Sequence, residues 1–146
     1  VFSIVDSLIW KPRYYPMSDV LVADITANGS NLSIPILDET VANIYNSLYN
    51  IPMKESGWWI NKYLSRSYQE SHNHVVDGVT LSWNYFLHLP PDSGSFVVGN
   101  GADAQHIVLG DDMEGSIVFF SSQIKHEVTP NNSGDIRYTI SGNITT

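Results

Sequence analysis

From Glu70 onward, strand-length apolar runs alternate with turn-forming residues at short intervals, and this rhythm constrains the fold more than any other feature of the chain. The runs are Glu70–Val76, Val79–Leu89, Ser95–Val98, Gln105–Leu109, Gly115–Phe120, Ile124–Val128 and Ile136–Gly142. Between them stand Asp77-Gly78, Pro90-Pro-Asp-Ser-Gly94, Gly99-Asn-Gly101, Gly110-Asp-Asp112 and Asn131-Asn-Ser-Gly134. Those residue types supply the backbone angles and local hydrogen bonds that turns need. Seven short strands at this spacing predict a mainly β protein, a sandwich or jelly roll.

The N-terminal part is less regular. Ser7–Trp10 and Asp19–Asp24 read as short strands and Asn28-Gly-Ser30 as a turn, while Pro12 and Pro16 exclude a long helix. Asp38–Tyr49 predicts a helix: Val41, Ile44, Tyr45 and Leu48 recur at helical spacing, Asp38 can cap it, and Pro52 follows its end. The expected architecture is therefore a β core with one or two N-terminal helices packed on a sheet. Trp58–Tyr68 is aromatic and ambiguous between helix and strand. With 146 residues and no internal repeat or linker, residues 1–146 read as a single domain.

Composition removes several function classes. A net charge of −8 with only seven Lys and Arg argues against non-specific nucleic-acid binding and against an anionic membrane surface. The absence of cysteine excludes disulfides and thiolate metal sites and fits a reducing cytosol. No apolar run approaches the roughly 20 residues that span a bilayer. Val1–Val5 is too short for a signal peptide and lacks a basic start, and a chain that does not begin with Met is expected to lack a few residues. The expected location is cytoplasmic.

Five histidines remain: His72, His74, His88, His106 and His126. On a strand, residues two apart point to the same face, so His72 and His74 would project into one space where they could share a metal. A third ligand has to come from elsewhere. His126 is the candidate, because it follows the buried-looking Gly115–Phe120 directly. Imidazole suits iron, zinc, copper and nickel alike, so spacing alone does not choose the ion. His88 and His106 are lone histidines in β segments, expected on the surface or in hydrogen-bonded core roles.

The runs Ser71-His-Asn-His74, Leu81-Ser-Trp-Asn-Tyr-Phe-Leu-His-Leu-Pro90, Ser93-Gly-Ser-Phe-Val-Val98, Glu114-Gly-Ser-Ile-Val-Phe-Phe-Ser-Ser122, His126-Glu-Val-Thr-Pro-Asn131 and Gly134-Asp-Ile-Arg137-Tyr-Thr-Ile-Ser-Gly-Asn143 are together similar to a known group. Residues 68–143 resemble the prolyl-hydroxylase-like 2-oxoglutarate/Fe(II)-dependent oxygenases of marine bacteria and their phages. That resemblance implies a double-stranded β-helix (a cupin-like jelly roll) in the host cytosol if phage-encoded. It implies Fe(II), 2-oxoglutarate and O₂ as cofactors. It further implies oxidation of a substrate, a peptidyl residue such as proline or a small metabolite. The wider superfamily holds iron through His-x-Asp/Glu and a distal His. Here His74 stands at the acidic position, so the expected ligands are His72, His74 and His126. Alternatively a carboxylate from Asp77 or Glu70 joins two of the histidines. The resemblance assigns Arg137 to the distal carboxylate of 2-oxoglutarate; Tyr85 could donate to the same carboxylate, and Thr139 and Ser141 share strand parity with Arg137 and could assist. A guanidinium suits that task because it is permanently charged and pairs with carboxylates through two parallel bonds. Ser82-Trp-Asn84 replaces the group's usual Ser-Gly-Val, and Ser121 stands where Pro is usual. Trp58, Trp59, Trp83 and Tyr63 could line the mouth of the site.

Other functions fit the same residues. A cupin-like metal protein or dioxygenase that ignores 2-oxoglutarate would keep the histidines and have no use for Arg137. A non-enzymatic jelly-roll binding or structural module would bind no metal. A zinc hydrolase with three histidine ligands would need a general base, and none is evident near the motif.

Overall fold

The computed structural model describes residues 10–12, 21–24, 35–75 and 78–146. In chain order these form β1 (Lys11–Pro12), β2 (Leu21–Asp24), α1 (Pro35–Leu48), β3 (Glu55–Tyr63), β4 (Gln69–His72), β5 (Val79–His88), β6 (Ser95–Val98), β7 (Gln105–Val108), β8 (Ile117–Ser121), β9 (His126–Val128) and β10 (Arg137–Thr145). The strands pair antiparallel in a six-stranded sheet ordered β1-β2-β3-β10-β5-β8 and a four-stranded sheet ordered β4-β9-β6-β7. This is the mainly β jelly roll that the strand rhythm predicts. The turn expected at Asn28-Gly-Ser30 and residues 7–9 lie outside the described residues, as do Val76 and Asp77.

Alternation along β10 sets the layering. Tyr138, Ile140 and Ile144 point to one face and pack with Leu37, Val41 and Tyr45 of α1. Arg137 and Thr139 point to the other face, between the two sheets, and both faces are buried. The inter-sheet core contains Tyr63, Phe86 and Phe120 from the large sheet, Phe96 and Val128 from the small one, and Leu89 and Leu109 from the loops.

The ambiguous aromatic run Trp58–Tyr68 belongs to β3 as far as Tyr63, because both faces of that strand are covered. Trp58 and Ile60 turn toward α1, whereas Asn61 and Tyr63 are fully buried. A strand buried on both sides shows no polar alternation, which is why its period cannot be read from sequence. Helix α1 starts earlier than expected, at Pro35, whose missing N–H costs nothing at a helix start. Asp38 therefore sits in the first turn rather than at the cap, and accepts a 3.1 Å hydrogen bond from Trp58 Nε1. The buried stripe is Leu37-Val41-Tyr45, four residues apart, and Leu48 is exposed.

Trp83 on β5 lies across Gly142 on β10, its register partner. A Cβ at Gly142 would fall inside the indole of Trp83. The tryptophan that distinguishes Ser82-Trp-Asn84 thus depends on the glycine opposite. Gly142→Ala is expected to cost about 3 kcal/mol by overpacking, a fall of about 10 °C in Tm for a chain of this size. Trp83→Leu in the same background should return most of that loss in scanning calorimetry. An unchanged Tm in the single variant would remove the argument.

Candidate metal centre

Strands β4 and β9 bring His72 and His126 face to face: they are register partners. The pairing contains a β-bulge, because Gln69 stands opposite Val128 while His72 stands opposite His126. Glu70 and Ser71 together oppose Glu127. The extra residue lets Gln69 and His72 share the inward face of Val128 and His126. The segment expected as Glu70–Val76 ends as a strand at His72, so His74 does not ride on it. Instead the His74 backbone N–H donates to Ser122 O at 2.9 Å, and Ser122 Oγ donates to Val79 O at 2.8 Å. Ser122 thereby clips the post-strand segment to β5.

The ligand-capable atoms of His72, His74 and His126 all lie within 4.8 Å of one another. His74 Nε2 and His126 Nε2 are 3.2 Å apart. Imidazole nitrogens bind a first-row ion at about 2.0–2.1 Å. Two such bonds at right angles separate their nitrogens by about 3 Å, so the observed spacing matches one shared cation. His72 Nδ1 lies 2.7 Å from Glu70 O. A carbonyl only accepts, so Nδ1 carries the proton and Nε2 keeps the lone pair, the arrangement that orients metal-binding imidazoles. The rings of Phe96 and Phe120 lie 5.8 and 4.6 Å from that of His126, and Trp59 lies 5.9 Å from His74. The donor set is uncharged and faces an apolar wall, which suits a divalent transition ion with open positions.

Arg137 is 0% exposed. Its Nη1 donates to Ser93 O and its Nη2 to Thr129 O at 3.3 Å, and its Cζ lies 4.2 Å from the centre of the Tyr63 ring. Nε is buried and has no hydrogen-bond partner among the described residues. Burial pulls its pKa down to about 10, only partly offset by Tyr63, so it remains a cation at neutral pH. Among the described residues no carboxylate pairs with it. A buried cation without a counter-ion is costly, and an anion placed beside it removes that cost.

Not every residue expected at the site is there. Tyr85 is the register partner of Ile140 and packs on the α1 side, the face opposite to Arg137. Tyr63, buried against the guanidinium, occupies the aromatic place instead, with its hydroxyl 3.2 Å from Gln69 Oε1. Ser141 and Thr139 do share the face of Arg137: both accept from Asn61 Nδ2, at 2.8 and 3.1 Å. Glu70 stands outside the group of converging ligand atoms; the bulge breaks the alternation that would have aligned it with His72. Asp77 lies outside the described residues. Of the mouth candidates only Trp59 flanks the histidines; Trp58 and Trp83 belong to the core under α1. His88 Nδ1 lies 3.0 Å from Glu114 Oε1, and His106 is exposed. Asn61 and Asn84, both buried on the inner face, are site neighbours that the sequence does not single out.

No protein-family model matches the sequence, and no curated protein matches it either. Solved structures do. A prolyl hydroxylase from Trichoplax adhaerens, in complex with a peptide fragment of the hypoxia inducible factor oxygen degradation domain, superposes with a TM-score of 0.78 at 17% identity, over 99% of this chain and 74% of that one. A prolyl-4-hydroxylase from Pseudomonas putida gives 0.71 at 17% identity, over 94% and 78%. The α-ketoglutarate-dependent carbocyclase SnoK of nogalamycin biosynthesis gives 0.75 at 10% identity, over 99% and 71%. The chain thus shares the fold of these enzymes, an antiparallel two-sheet jelly roll. No helix of the described residues is long and apolar enough to cross a membrane.

Proposed function

We propose that this protein is a non-haem Fe(II) dioxygenase that couples oxidative decarboxylation of 2-oxoglutarate to hydroxylation of a second substrate. His72, His74 and His126 would hold the ion, and Arg137 the distal carboxylate of 2-oxoglutarate. The observation that carries this reading is the convergence of three imidazoles on the inter-sheet face that also buries a guanidinium with no carboxylate partner among the described residues.

When bound, iron and 2-oxoglutarate supply the oxidising power: O₂ is consumed, succinate and CO₂ leave, and one oxygen atom enters a C–H bond of the substrate. The chain supplies position. Arg137 fixes one end of the diacid, so that the other end faces the histidines. Tyr63 stacks on the guanidinium and restricts its orientation. Phe96, Phe120 and Val128 keep the inter-sheet space dry, which strengthens each charge–charge contact inside it. A peptidyl substrate, a prolyl residue among the possibilities, is favoured by the peptide bound to the Trichoplax neighbour.

Anaerobic protein loaded with Fe(II) should develop a weak visible charge-transfer band when 2-oxoglutarate is added, and succinate should form on admitting O₂. A cupin-like metal protein would bind the ion and use Arg137 only to tie Ser93 to Thr129. It would show neither signal, and that result would overturn the proposal.

A further inference from the structure

Between Arg137 and the histidines, the inner face of the large sheet carries amides and hydroxyls where a dry sandwich would be aliphatic. Asn61 and Asn84 are 0% and 4% exposed. Asn61 Nδ2 donates to Ser141 Oγ at 2.8 Å, and Asn84 Nδ2 donates to the same oxygen at 3.1 Å. With both lone pairs of Ser141 taken, its own proton is free to donate. The Oδ1 atoms of Asn61 and of Asn84 are buried without a hydrogen-bond partner among the described residues. Such orphans are uncommon in native proteins, and two around one hydroxyl mark a place where a ligand's polar group belongs.

Register locates that place. Arg137 is paired with Tyr63, Thr139 with Asn61 and Ser141 with Trp59. The Trp59 ring touches His74. At about 3.3 Å per residue, Asn61 stands about 7 Å along the sheet from Arg137 and the Ser141–Asn84 pair about 13 Å, level with Trp59, so the cluster spans the stretch from Arg137 to the histidine end.

We infer that Asn61, Ser141 and Asn84 recognise a hydroxyl on the carbon chain of the bound diacid, so that this slot favours a hydroxylated 2-oxo dicarboxylate over 2-oxoglutarate itself. The inference rests on the proposed assignment of Arg137 and the histidines to the two ends of that ligand. The middle of 2-oxoglutarate is two methylenes, which satisfy neither orphaned oxygen. A hydroxyl donates to an amide oxygen and accepts from Ser141 at once. If either amide is turned over, its NH₂ takes the place of the oxygen, and the same hydroxyl accepts from it. The fit therefore survives both orientations.

The test is an anaerobic titration of the Fe(II)-loaded protein with 2-oxoglutarate and with 4-hydroxy-2-oxoglutarate, followed by the visible band and by calorimetry. The hydroxylated acid should bind about tenfold more tightly, the yield of one or two added hydrogen bonds. Asn61→Leu and Asn84→Leu should each bring the affinity ratio of the two acids close to one. Equal affinities in the unmutated protein would overturn the inference and leave the proposed function standing, with ordered water serving the amides. Failure of both acids to bind in an Arg137-dependent way would overturn both.

Discussion

Arg137→Met is expected to weaken 2-oxoglutarate binding by about 100-fold or more while leaving unfolding stability within about 1 kcal/mol of the original, or above it. The two halves of this result come from the same fact. Arg137 is wholly buried, and burial lowers its pKa to about 10. A base whose folded pKa lies below its unfolded value is destabilised in its charged form. That cost is present in full below pH 10 and is relieved only as pH rises from there toward the ordinary range of a guanidinium. Removing the charge removes the cost, which offsets the lost bonds to Ser93 and Thr129. A carboxylate beside the guanidinium raises the pKa again, so anion binding should be full below pH 10 and fall as pH passes it. Thermal unfolding and anaerobic titration check both halves. A variant that loses several kcal/mol of stability yet binds 2-oxoglutarate normally would make Arg137 a structural tie.

The second large effect concerns the histidines. A divalent ion at about 100 times its Kd should add about 2.7 kcal/mol to the unfolding free energy, close to 10 °C in Tm. His72→Ala, His74→Ala and His126→Ala should each abolish that metal-dependent shift. Glu70→Gln should keep it, because its carboxylate is not part of the converging group. If Glu70→Gln abolished the shift and one of the histidine variants kept it, the ligand set would be two histidines and a carboxylate. His126→Ala should lower the metal-free Tm as well, since the ring packs against Phe96 and Phe120.

The strand count from Glu70 onward, the existence of α1 and the meeting of His72 and His126 are legible in the sequence because each is written in local chemistry. Turn residues delimit strands, helical spacing marks a buried stripe, and imidazoles are few. What is not legible depends on partners far along the chain. Tyr85 reads as an inward aromatic, yet Ser82, Trp83 and Asn84 beside it are all buried, so no alternation reveals which face is which. Asn61 and Asn84 carry no signal of their own, since a lone asparagine in an aromatic strand acquires meaning only from Ser141 on the neighbouring strand. The carboxylate alternative for Glu70 assumes unbroken alternation, and the bulge opposite Glu127 is invisible until β9 is in place.

That irregularity makes the coordination sphere a question of register as well as of residue identity. Deleting Glu70 or Ser71 would restore a regular ladder between β4 and β9. Keeping Gln69 in register with Val128 would then leave residue 72 opposite His126 and facing inward, whereas a regular ladder formed without the deletion would pair Ser71 with His126 and turn the imidazole of residue 72 to the solvent side. In that second ladder the sphere would shrink from three nitrogens to two, although every histidine would still be present.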